Sequence, residues 1–138
     1  HHKKFTRIIE NKLNKNNRVL IIDCHSFPKH PLQYELNQEI NRSEICIGTD
    51  NFHTSEKLRN SFGQLFEKSN FTVKFNAPFK GSIVPLKFYN KDKEVQSIMI
   101  EVRRDLYMDE HSGQKNKNFN KIKKTLEKII NIYLNEHR

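Results

Sequence analysis

Four consecutive apolar β-formers, Val19 to Ile22, run directly into Asp23-Cys24-His25-Ser26-Phe27-Pro28. A short continuous apolar run of this kind predicts a strand over 19–23, buried on both faces of a parallel-type sheet. Ligands of open α/β sheets bind outside the carboxyl ends of strands. The polar cluster therefore stands where a metal ligand or a general base would be placed.

Side chains alternate along a strand. Cys24 and His25 then point to opposite faces and do not readily form a thiolate–imidazole pair, which disfavours Cys24 as a nucleophile. Asp23 and His25 share a face, so Asp23 can sit behind the imidazole and orient it. The alternative is that His25 only hydrogen-bonds at a strand end. This stretch by itself leaves both readings open.

Around it the chain alternates helices and strands. Phe5, Ile8, Ile9 and Leu13 recur at helical spacing and predict a helix over 2–15, stopped by Asn14 to Asn17. Residues 26–43 read as a long loop in which Pro28 and Pro31 forbid regular pairing. Ile45-Cys46-Ile47-Gly48 predicts a second buried strand, followed by the polar cluster Thr49 to Thr54. Thr54 is the predicted N-cap of a helix over 54–68, with Glu56 in its first turn. Residues 71–76 read as a third strand, with Val73 and Phe75 facing one way, and 77–81 as a turn or binding loop. Residues 83–89 are expected to add a short strand, 95–102 another core strand and 117–135 the final helix. The alternation predicts one α/β domain without internal repeat or linker.

Net charge is +9 over 138 residues, which raises the question of nucleic acid. The lysines are spread through loops and helices alike rather than gathered in one stripe, so a solvated basic surface is expected and no nucleic-acid partner. Cys24 and Cys46 both fall in expected core strands and read as buried reduced thiols, which points to the cytoplasm. No apolar run spans a membrane and no signal peptide is visible, so no membrane partner is expected. With 4 glycines and no Gly-rich phosphate loop, a nucleotide fingerprint is absent, as are the CxxC, HExxH and GxSxG patterns.

Glu101 interrupts the apolar strand Ile98-Met99-Ile100 near its carboxyl end. A carboxylate is seldom buried there without a partner. It either pairs with Arg103, on the same face, or with Arg104 around the turn, or it acts as a general base with a raised pKa. Arg103 and Arg104 suit bidentate capture of a substrate carboxylate. Asn76 is open between a turn residue and a substrate contact. Asp50 and His53 read as loop-capping residues rather than metal ligands.

These blocks together carry a resemblance. Ile21-Ile22-Asp23-Cys24-His25-Ser26-Phe27, Gly48-Thr49-Asp50, Asn76-Ala77-Pro78-Phe79-Lys80-Gly81 and Ile100-Glu101-Val102-Arg103-Arg104-Asp105-Leu106-Tyr107-Met108-Asp109-Glu110, in that order, resemble the N-formylglutamate amidohydrolase family over almost the whole chain. The resemblance implies a carboxypeptidase-like (phosphorylase/hydrolase-like) α/β fold, a mixed sheet flanked by helices. It implies a zinc cofactor, with His25 matching the third zinc ligand and Glu101 the carboxylate that activates water. It makes Arg104 a plausible partner for a substrate carboxylate; Arg103 and Asn76 remain substrate-binding candidates from their own places at strand ends.

The implied reaction is hydrolysis of N-formyl-L-glutamate to formate and glutamate, or of another small-molecule N-acyl amino acid by a related zinc deacylase. The family's first two zinc ligands, a His and a Glu, lie upstream of the matched region, and neither His1 nor His2 matches them. The chain is thus expected to be the C-terminal portion of one zinc-hydrolase domain, inactive alone. A non-catalytic basic binding module is the alternative from another class. Oligomeric state is not legible.

Overall fold

The computed structural model describes residues 2–136. The chain runs α1 (His2–Asn16), β1 (Val19–Phe27), β2 (Ile45–Gly48), α2 (Glu56–Lys68), β3 (Val73–Phe75), β4 (Val95–Arg103), a 3₁₀ turn (Arg104–Leu106) and α3 (Phe119–Glu136). The strands form one mixed sheet in the order β1-β4-β2-β3. β1 and β4 are parallel, β2 is antiparallel to β4, and β3 is parallel to β2. This is the expected α/β architecture of a mixed sheet flanked by helices.

The two faces follow from side-chain alternation. Ile45, Ile47, Ile98, Ile100 and Val102 pack on one side with Leu58, Phe62 and Phe66 of α2 and Ile122, Ile129 and Tyr133 of α3. On the other side Ile21 and Val95 pack with Ile9 of α1 and with Phe88, Phe5 and Leu13 adding to the cluster. The second face also carries Asp23, His25, Met99, Glu101, Cys46 and Gly48, aligned by register. Toward the carboxyl ends of β1 and β4, this face is covered by loops rather than by a helix. A Cβ on Gly48 would collide with the Gly81 carbonyl oxygen and the Met99 side chain, so the 77–81 loop lies directly on β2.

Several local expectations are corrected. β1 is half-buried and lies at one edge of the sheet, not buried on both faces, and it continues four residues past Asp23. Its polar half stays extended because β4 pairs with it as far as Phe27–Arg103. Cys24 is exposed, since it lies on that edge, whereas Cys46 in the interior strand is buried. Ser55, not Thr54, caps α2 by accepting a bond from the Leu58 amide at 3.2 Å. The Thr54 hydroxyl is engaged elsewhere, donating to the Ser97 carbonyl at 2.6 Å. Residues 83–89 form no strand: Pro85 has no amide to donate, and its carbonyl closes a turn by accepting from Phe88 and Tyr89.

Candidate active site

β1 and β4 reach their carboxyl ends side by side, and their register sets His25 opposite Glu101. Partners in a parallel ladder point the same way. His25 lies at the sheet's open edge with a half-exposed side chain, whereas Glu101 lies one strand inward and is only 6% exposed. The strand pattern read from sequence holds here: Asp23, two residues before His25, shares its face. Its Oδ1 lies 2.8 Å from His25 Nε2. That contact fixes the ring and leaves Nδ1 for another partner.

Glu101 is the unusual group. Its Oε2 is buried and has no hydrogen-bond partner among the described residues. The simple explanation, an ion pair with a neighbouring arginine, fails on geometry. Arg103 is fully engaged: Nε and Nη2 bond the Asp105 carboxylate at 2.7 and 3.3 Å, and Nη1 donates to the Arg42 carbonyl at 2.6 Å. Arg104 turns to β1, donating from Nε to Ser26 Oγ at 3.2 Å and from Nη2 to the Ser26 carbonyl at 3.1 Å. Burial pushes the Glu101 carboxyl above its ordinary value, with Asp23 and Glu35 adding to the rise and His25 and Arg104 opposing it. An orphaned, desolvated carboxylate beside an imidazole is the signature of a site that takes a proton or a ligand.

The remaining expected residues divide. Arg104 stays at the carboxyl end of β4, close enough for its charge to act on Glu101. It also lines an apolar groove of about 700 Å³ between the β1–β4 pair and α3, with Phe66, Ile100, Val102, Ile122 and Leu126. Cys24, His25 and Ser26 of β1 line the same groove, so it reaches the strand end where His25 stands. Asn76 has a left-handed backbone, and both ends of its amide are bonded to Thr49: Oδ1 accepts the amide at 2.8 Å and Nδ2 donates to Oγ1 at 2.8 Å. Its visible work is to close the turn after β3. Asp50 caps its loop by accepting from the Phe52 and His53 amides. His53 is buried, between the Val95 carbonyl and the Asn90 amide.

The donor set fits one edge of a metal site. It has an imidazole nitrogen left open, a carboxylate that orients that ring, and a buried acid with an unsatisfied oxygen alongside. Among the described residues no group of three or more His, Cys, Asp or Glu side chains could hold a metal ion. Cys24 adds no ligand beside His25, because strand alternation turns its side chain to the opposite face from Asp23 and His25.

Sequence reasoning missed the contacts that surround Glu101 from β2 and from the loops. Cys46 is its register partner on β2, and Cys46 Sγ bonds the Phe79 carbonyl at 3.3 Å. Glu35 and Arg42 of the 28–44 loop form an ion pair, with the Arg42 side chain fully enclosed. No periodicity marks these positions. The one signal available was that a loop of this length beside a strand end requires an internal anchor.

A family model described as N-formylglutamate amidohydrolase matches residues 1–108. Among solved structures, the chain resembles an N-formylglutamate amidohydrolase from Ralstonia eutropha JMP134, at 20% identity and a TM-score of 0.82, over 99% of this chain and 52% of that one. It also resembles a gene product from Agrobacterium tumefaciens, at 21% identity and a TM-score of 0.58, over 96% of this chain and 48% of that one. The chain thus spans about half the length of these relatives, and the likeness is one of fold. A search among curated proteins finds no significant match.

Proposed function

This chain belongs to the N-formylglutamate amidohydrolase family, and from that membership we propose that it forms the C-terminal portion of a zinc-dependent hydrolase that releases formate and glutamate from N-formyl-L-glutamate. The observation that carries the reading is the buried, unpaired Glu101 carboxylate beside the open imidazole of His25. A structural ion pair would have left no such orphan. Another N-acyl amino acid as substrate would use the same residues.

Each residue has a distinct part. His25 would hold the metal through the nitrogen that Asp23 leaves open, together with ligands from outside the described residues. Zinc held there would supply a Lewis acid for the amide carbonyl. Glu101 takes a proton from the attacking water and passes it to the departing amine. Its raised pKa brings its basicity closer to neutral pH, which is where a proton-shuttling carboxylate works best. Arg104 has no bond to its Nη1 among the described residues, so a substrate carboxylate finds a donor already braced by Ser26. Arg103 and Asn76 support this arrangement from their own bonds to Asp105 and Thr49 rather than by reaching the substrate.

The test is formate release from N-formyl-L-glutamate by the full-length protein, with zinc and after chelation. Metal-dependent release supports the reading. Absence of release from this and from other N-acyl amino acids would overturn it.

A further inference from the structure

Between β1 and β2 the chain runs for residues 28–44 without helix or strand, beside the Glu101 face. A loop of this length holds one shape only if something inside it ties the backbone down. Arg42 does so. Its side chain is fully buried. Nη2 meets the Glu35 carboxylate and donates to the Asn37 carbonyl at 2.9 Å. Nη1 donates to the Pro28 carbonyl at 3.2 Å and Nε to the Glu39 carbonyl at 3.3 Å. The guanidinium lies 6.0 Å from the Phe27 ring centre and 5.9 Å from that of Phe79, and these two rings meet edge to face.

These partners come from every segment around Glu101. Phe27 ends β1, two residues after His25. Phe79 belongs to the 77–81 loop, and its carbonyl receives the thiol of Cys46, the cross-strand neighbour of Glu101. The Arg42 carbonyl receives Arg103, two residues after Glu101. The loop's apolar side chains Tyr34, Leu36 and Ile40 point to solvent, so apolar burial does little to hold it. Polar bonds do that work: Gln38 ties the Leu32 and Glu35 carbonyls, Glu39 pairs with Lys74, and the buried Arg42 guanidinium gathers four acceptors spread from Pro28 to Glu39.

We propose that Arg42 is a positioning residue: it locks the 28–44 loop against Phe27 and Phe79 as a wall of the Glu101 site, and so sets how an acyl amino acid seats there. This rests on the hydrolase reading only for the word substrate; the lock stands on geometry alone. A guanidinium can serve these acceptors at once because its donors are fixed in a plane, whereas an ammonium on a flexible stem cannot.

The experiment compares wild-type full-length protein with R42K by amide hydrogen exchange and by steady-state kinetics. Exchange across 29–41 is expected to quicken by about tenfold, the scale set by losing one hydrogen bond to a charged group, with β1 and β4 unchanged. KM is expected to rise by about tenfold, with kcat within about threefold. A second variant, E35Q, keeps the carbonyl bonds of Arg42 and removes only the charge; it is expected to loosen the same segment to a smaller degree. Unchanged exchange across 29–41 in both variants would overturn the lock. A loosened loop with KM unmoved would overturn the positioning role. If wild-type protein hydrolyses no N-acyl amino acid, the hydrolase reading falls and the lock is judged by exchange alone.

Discussion

His25 and Glu101 are register partners on adjacent parallel strands, so a half-exposed imidazole at the sheet edge stands beside a buried carboxylate with an unsatisfied oxygen. The pairing is a consequence of β1 running on past Asp23. Had the strand stopped where its apolar run stops, His25 would hang from a loop, and nothing would fix its distance to Glu101.

Asp23 holds the His25 ring from behind at 2.8 Å. Removing such an orienting partner typically costs 10- to 100-fold in metal affinity, roughly. D23A in the full-length protein is predicted to weaken zinc binding by about that factor, and H25A by more, as measured by competition with a chelating dye. Equal affinity in D23A and wild type would show that the contact does not tune the ligand.

Burial raises the Glu101 pKa, and this has a direction for stability. A carboxyl whose pKa is higher folded than unfolded binds more protons in the native state. It therefore stabilises the fold below its unfolded value, about 4.3, and that contribution is lost as pH rises through the native one. Without metal, the melting temperature of E101Q minus that of wild type is predicted to grow as pH rises from about 4 to about 8. A difference that shrinks over this range would mean that Glu101 is stabilised as an anion by a partner.

Gly48 lets the 77–81 loop sit on β2, where its neighbours leave no room for a Cβ. One obstruction is backbone, the Gly81 carbonyl, which cannot swing aside as a side chain can. G48A is predicted to destabilise by about 1–3 kcal/mol, the usual range for overpacking, measured by urea unfolding. No change in midpoint would show that the loop can lift off the sheet at little cost.

Much of this was legible in the sequence because it depends on local pattern. The periodic runs Phe5 to Leu13 and Ile122 to Tyr133 became α1 and α3, and the apolar runs at 45–48 and 95–102 became β2 and β4. The alternation rule alone put Asp23 and His25 together. What the sequence did not disclose depends on pairing over long separations. The polar half of β1 is a strand only because β4, some 76 residues later, bonds it. Arg103 stands beside Glu101 in sequence yet gives its guanidinium to Asp105 and its third donor to Arg42. Arg42 itself had no pattern to read, since its acceptors are mostly backbone carbonyls that converge only in the folded loop.

As the proposed general base, Glu101 would move the proton rather than hold the fold. The most direct measurement is formate release by zinc-loaded, full-length E101Q alongside wild type, with the melting temperature taken on the same preparations. The substitution keeps the shape of a side chain that no arginine grips. Turnover is predicted to fall by ~10²–10⁴-fold, the range for losing a general acid–base group, with zinc still bound and the fold intact. An E101Q enzyme that keeps wild-type turnover in its folded fraction would contradict the account.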